Sequence, residues 1–191
     1  MEKRHRVFIA INLPEEIKKE LSHFYDKWPE LPAKWISKDN LHITLEFLGD
    51  LTDMEIGDVC KIVGEVAKNH KAFKVNLNKI VYGPPKKNPP RLVWVNGDKS
   101  EELVDLKGEL QEYLLEKISF RPEGTGFIPH VTLARILEME FKKFDLEERP
   151  EINEDIDLFF SVESIEVMES ELKRGGPVYT ILESHTLGEE N

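Results

Sequence analysis

The chain has one cysteine, Cys60, so neither an internal disulfide nor a cysteine-based zinc site is available to it. That residue sits in EIGDVCKIVGEVA, a helical pattern with nothing nearby to lower a thiol pKa, and it reads as a small buried residue rather than a nucleophile. No apolar run approaches the ~20 residues needed to span a bilayer. The opening MEKRHRVFIAINLP turns from basic to apolar, but its apolar part is shorter than a signal-peptide core and no small-residue cleavage site follows. It reads as a first strand, and the expectation is a cytoplasmic protein with no membrane partner. Positive charge is also scarce: 26 Lys and Arg against 37 Asp and Glu leave a net charge of −11. Broad, non-specific nucleic-acid binding needs a basic face and is disfavoured; a grip on one or two phosphates is not. Gln111 is the sole glutamine, and with abundant Glu and Lys this resembles the charged, amide-poor surface of thermophile proteins.

What is present suits one domain or two small lobes with a sizeable core: 191 residues, 40% hydrophobic and 33% charged. The charge is uneven, since GPPKKNPPR (83–91) is basic and proline-rich while EERPEINEDID (147–157) is acidic. RVFIAINL (6–13) reads as a strand, and Pro14 then opens a helix whose inner face carries Ile17, Leu21, Phe24 and Trp28. AKWISKDNLHITLEFLG gives a short strand, a polar turn at Lys38–Asn40 and a longer strand. Thr52 and Glu55 form a capping box before a second helix. Strands follow at 73–83 and 91–97, separated by an extended loop with four prolines. Ser100 caps a third helix with Leu103, Leu106, Leu110 and Leu114 inside. HVTLARIL (130–137) is a strand, residues 138–157 a short helix or loop, and DLFFSVESIEVMES and VYTILESHTL are closing strands joined by the turn KRGGP. The order predicts an α+β fold with mainly antiparallel sheets and no linker. A rough two-part symmetry gives each half one His-x-Thr strand.

That repeat carries the chemistry. On a strand, residues i and i+2 share a face. His42 and Thr44 therefore point together, as do His130 and Thr132, while Leu41, Ile43, Leu45 and Phe47, and likewise Val131 and Leu133, turn to the core. If the two strands lie side by side, two imidazoles and two hydroxyls share one concave site. Near neutral pH a neutral imidazole can take a proton from an attacking oxygen and a charged one can protonate a leaving oxygen. Threonine hydroxyls can donate to the non-bridging oxygens of a phosphate. One His-x-Thr on a strand is common by chance; two copies on apolar β patterns, each followed by Leu, are not. A zinc site is the rival use of these residues, but a carboxylate or third histidine usually completes a ligand set, and no His-x-His or His-Glu-x-x-His is present.

AKWISKDNLHITLEFLG, FIPHVTLAR, the N-terminal RVFIAINLP and the late GPVYTIL together resemble the two-histidine phosphoesterases, in particular the RNA 2′,3′-cyclic phosphodiesterase branch long labelled 2′-5′ RNA ligase. The resemblance spans nearly the whole chain. It implies one bilobal domain over 1–191, with two mainly antiparallel sheets, outer helices and a central cleft lined by both motifs. It implies hydrolysis of RNA 2′,3′-cyclic phosphate ends to 2′-phosphates with no metal or other cofactor. On this chain His42 would be the general acid that protonates O3′, His130 the base that activates water, and Thr44 and Thr132 would hold phosphate oxygens. Arg135 matches the phosphate contact of the second motif. Its odd spacing from His130 aims it at the back face unless a bulge re-aims it. Phe47 holds the equivalent place after the first motif; alternation sends it to the core, and the alternative is a platform for a base. Trp35 divides similarly between base stacking and core packing. Lys86, Lys87 and Arg91 read as a solvated loop, with contact to RNA phosphates as the alternative. His5, His23, His70 and His185 have no partnered motif and read as structural or solvent-facing.

Two other activities stay open: joining a cyclic phosphate end to a 5′-hydroxyl to give a 2′-5′ linkage, and binding RNA ends without turnover. Fragments from tRNA processing, small cyclic nucleotides and 2′-5′ oligonucleotides all present similar phosphates. With no obvious unpaired apolar helix face, the expected state is a monomer.

Overall fold

A computed structural model describes residues 3–122, 126–174 and 176–188. The elements run β1 (His5–Asn12), α1 (Glu15–Ser22), β2 (Ala33–Trp35), β3 (His42–Leu51), α2 (Asp53–Asn69), β4 (Phe73–Gly83), β5 (Leu92–Gly97), α3 (Glu101–Lys117), β6 (His130–Ile136), α4 (Glu138–Phe141), β7 (Asn153–Val162), β8 (Ser164–Lys173) and β9 (Gly176–Thr186). The strands hydrogen-bond in the order β7-β4-β5-β6-β3-β1-β8-β9, with β2 added to β6. Every described pairing is antiparallel. The expected α+β class holds, and its two sheets are joined: β3 and β6 meet through one paired position, Ile43 opposite Val131. That joint places the two His-x-Thr segments side by side.

Local signals account for most element ends. Thr52 and Glu55 make the reciprocal capping box at the start of α2, and the Ser100 hydroxyl accepts from the Leu103 amide at the start of α3. Each such cap contributes about 1 kcal/mol. The first helix is shorter than its apolar spacing predicts. It ends at Ser22 and tightens into a single 3-10 turn over His23–Asp26. Trp28 is nonetheless buried, stacked near Phe24 and Trp35, so the apolar residues pack as expected on a different backbone. The turn expected at KRGGP includes residue 175, which lies outside the described residues.

Helix α2 lies against β3, β8 and β9, and α3 lies beside α2 and also reaches β3. Ile9, Ile11, Ile43, Leu45, Val131 and Leu133 point into the core with Val59, Val63, Leu106 and Leu110 from these helices. A buried ion pair crosses this layer: Lys107 of α3 reaches Glu46 of β3 at 2.6 Å, where the carboxylate side chain is 1% exposed. No helix among the described residues is long and apolar enough to cross a membrane.

Each motif strand carries a bulge at the same place. On β3, Ala10 pairs with Thr44 and Ile9 with Glu46, leaving Leu45 as an extra residue. On β6, Trp94 pairs with Thr132 and Val93 with Ala134, leaving Leu133 extra. A bulge shifts the alternation by one residue. The burial patterns of 42–48 and 130–136 are identical position by position. After the bulge Glu46 and Ala134 are buried, and Phe47 and Arg135 emerge.

Candidate active site

The geometry of each histidine follows from the turn or loop before it. His42 Nδ1 lies 2.7 Å from the Asn40 carbonyl, and His130 Nδ1 lies 2.8 Å from the Ile128 carbonyl. A carbonyl oxygen only accepts, so both Nδ1 atoms carry hydrogen and donate. When either ring is neutral, Nε2 is therefore the nitrogen able to accept a proton. The Thr44 hydroxyl sits 3.0 Å from His42 Nε2 and donates to it when the ring is neutral. Continuing the register of Ile43 with Val131 puts His42 opposite Thr132 and Thr44 opposite His130.

The rings rest on different aromatic supports. His130 lies parallel to the Trp94 indole, with centroids 3.9 Å apart and 18° between planes. His42 packs 5.0 Å from Phe8 and edge-on to Tyr179 at 5.2 Å. The turn at Lys38–Asn40, which presents the Asn40 carbonyl, is pinned from three sides. Lys18 Nζ donates to the Asp39 carbonyl at 3.2 Å, Lys38 pairs with Glu15, and the Asn40 amide donates to the Pro177 carbonyl at 2.9 Å. Lys18 is 6% exposed, and burial lowers its pKa. His42 is itself pushed down to about 4, first by burial; the Asn40 carbonyl opposes the shift, and the charges of Lys18 and His130 add to it. The two imidazoles are thus close enough for a proton on one to be felt by the other.

Three of the predicted site residues share one cleft, and His42 bonds to one of them, Thr44. A small cleft is lined by Thr44, Phe47, Phe127, Ile128 and His130. Phe47 is 50% exposed and lies 6.1 Å from Phe8, which corrects the core placement; the Leu45 bulge is the cause. Arg135 is exposed because the bulge that its spacing required is present at Leu133. Trp35 packs on Tyr25 and Trp28, in the core rather than at the cleft. His5, His70 and His185 pair with carboxylates, as does the exposed His23. Burial raises the Cys60 pKa to about 12, as for an inert thiol. A larger groove of about 680 Å³, lined by His5, Cys60, Lys61, Glu183 and His185 among others, lies between α2 and the β8–β9 side, away from both motifs. Among the described residues no cluster of His, Cys, Asp or Glu is placed to hold a metal ion.

Sequence reasoning missed several neighbours. Asn12 pairs with His42 and Asn96 with His130, on strands whose segments FIAIN (8–12) and LVWVN (92–96) align. That alignment, displaced by 84 residues, was a legible signal of repetition. The nearness of Trp94 and Tyr179 to the histidines arises from strand pairing and a hairpin, and that of Lys18 from α1 packing on the turn at Lys38–Asn40, so no local pattern marked it.

The model of the family described as LigT-like phosphoesterase matches twice, over residues 11–94 and 96–179. The chain belongs to that family. An RNA 2′,3′-cyclic phosphodiesterase of Methanocaldococcus jannaschii is 30% identical over 178 residues, covering 93% of this chain and 98% of that one. One from Thermus thermophilus is 32% identical over 192 residues, covering 97% and 92%. The crystal structure of the Thermus thermophilus protein TT0787 superposes with a TM-score of 0.82 at 30% identity, over 97% of this chain and all of that one.

Proposed function

We propose that this phosphoesterase hydrolyses RNA 2′,3′-cyclic phosphate ends to 2′-phosphomonoesters, with His42 and His130 as an acid–base pair. One observation carries the reading: two imidazoles on neighbouring strands, each held by a carbonyl at Nδ1, direct Nε2 to a region that also holds Thr44 and Thr132. His130 Nε2 takes a proton from water, whose oxygen attacks phosphorus. The P–O3′ bond breaks, and His42 Nε2 gives its proton to O3′, leaving the phosphate on O2′. Which ring is acid and which is base follows the family motif. The low pKa of His42 leaves it neutral in the free protein; the negative charge of a bound phosphate restores its proton. Thr44, Thr132 and Arg135 hold phosphate oxygens, and Phe47 stacks a base.

The two matches of the family model and the identical burial patterns of β3 and β6 support a single bilobal domain built from two related halves. The relatives named as RNA 2′,3′-cyclic phosphodiesterases support RNA ends as the substrate class.

The test uses a short RNA ending in a 2′,3′-cyclic phosphate, with EDTA present and the 2′- and 3′-phosphate products separated. Wild type making only the 2′-phosphate, with H42A and H130A inactive, is the expected result. An inert wild type, or turnover abolished by EDTA, overturns it.

A further inference from the structure

We propose that Lys34, set beside Arg135, is a second anion contact that takes the phosphodiester immediately 5′ of the terminal nucleotide, so that the enzyme prefers an RNA chain end over a mononucleotide. The inference rests on the hydrolase reading above.

The register of β2 on β6 sets Lys34 directly opposite Arg135. Directly paired residues of an antiparallel ladder project to the same side, where like charges repel. Both are exposed, and among the described residues neither enters an ion pair. Two like charges directly opposite on a ladder repel, and an anion bound beside them relieves that repulsion. The arrangement is fixed from behind. Trp35 turns to the opposite side of β2 and stacks on Tyr25 and Trp28, which commits Lys34 to the outer face.

That face is the catalytic one. Leu92 continues the row beside Arg135, two residues before Trp94 on the same side of β5, and Trp94 stacks on His130. Arg135 lies one front-face step beyond Thr132, about 7 Å along the strand. A strand of RNA with its terminal phosphate held by the two histidines and Arg135 reaches Lys34, one strand spacing of about 5 Å further out, with its next phosphate. The guanidinium can fork to two oxygens of the terminal phosphate, and the lysine offers a point charge to the next one. The basic loop 83–91 opens from the same row, since Gly83 pairs with Leu92 and the Ile136 amide donates to the Arg91 carbonyl at 2.9 Å.

The test measures kcat/KM on a nucleoside 2′,3′-cyclic phosphate and on a tetranucleotide ending in the same group, for wild type, Lys34→Gln and Lys34→Arg. The ratio of tetranucleotide to mononucleotide is expected to fall about tenfold in K34Q and to recover in K34R. The plot of log kcat/KM against log salt for the tetranucleotide is expected to be shallower by about 0.7 in K34Q, the slope of one single-strand phosphate contact. An active wild type whose ratio is unmoved by K34Q overturns the subsite and leaves the hydrolase reading standing. A wild type inert on both substrates overturns the hydrolase reading, and the subsite with it.

Discussion

The Trp94 indole lies face to face with the His130 imidazole at 3.9 Å, and it leaves no room for a side chain at position 83. A Cβ added to Gly83 would collide with the indole ring. The orientation of the His130 ring thus depends on a glycine on a strand two removed from its own. Gly83→Ala is expected to cost about 1–3 kcal/mol of stability through overpacking and to lower kcat/KM at least tenfold by tilting His130. Thermal melts and steady-state kinetics on one preparation separate the two effects.

The low pKa of His42 makes a spectroscopic prediction. Its imidazole resonances should titrate near 4 in the free protein and shift upward when a nucleoside 2′-phosphate binds, because the anion favours the charged ring. An NMR titration with and without that ligand checks it. No upward shift would remove His42 as the acid.

The same shift has a consequence for folding. The folded pKa lies below the ordinary value of 6.5, so between 6.5 and about 4 the unfolded chain binds a proton that the folded chain does not. The stability gained from keeping His42 neutral is complete above 6.5 and is lost as the pH falls toward 4. Wild type should therefore lose stability relative to His42→Gln over this window, by on the order of 2 kcal/mol. Paired urea titrations at pH 7 and 4 measure it.

Phe47 offers a contrast between core and platform. Truncating a buried phenylalanine costs about 3–5 kcal/mol. Phe47 is half exposed, so Phe47→Ala should cost under about 1.5 kcal/mol while raising KM for RNA ends several-fold. A large drop in melting temperature with unchanged KM would return Phe47 to a packing role.

The Lys107–Glu46 pair joins α3 to the motif strand from behind. Lys107→Met leaves a buried carboxylate alone and should destabilise the fold by about 3–5 kcal/mol. Adding Glu46→Gln removes that charge and should recover a good part of the loss. Urea unfolding of the two single variants and the double variant closes the cycle.

Much of this architecture was legible in the chain. The capping box at Thr52 and Glu55, the Ser100 cap, the prolines that break the loop at 84–90 and the period-2 pattern of β4 act within a few residues, and the elements fall where those signals put them. The two His-x-Thr segments were legible for the same reason, since residues i and i+2 of a strand share a face whatever surrounds them. Phe47 and Arg135 were not, because each lies beyond a bulge. A bulge exists only as a mismatch between two strands, and no single strand encodes it.

By itself the sequence determined the strands, the helices, the polar front of each motif and the types of group that could move protons. Only the tertiary structure decided that Ile43 meets Val131, that Trp94 lies on His130 and that Lys34 faces Arg135. Those relationships are set by pairing between segments far apart in the chain, where burial and register rather than local propensity choose the partner.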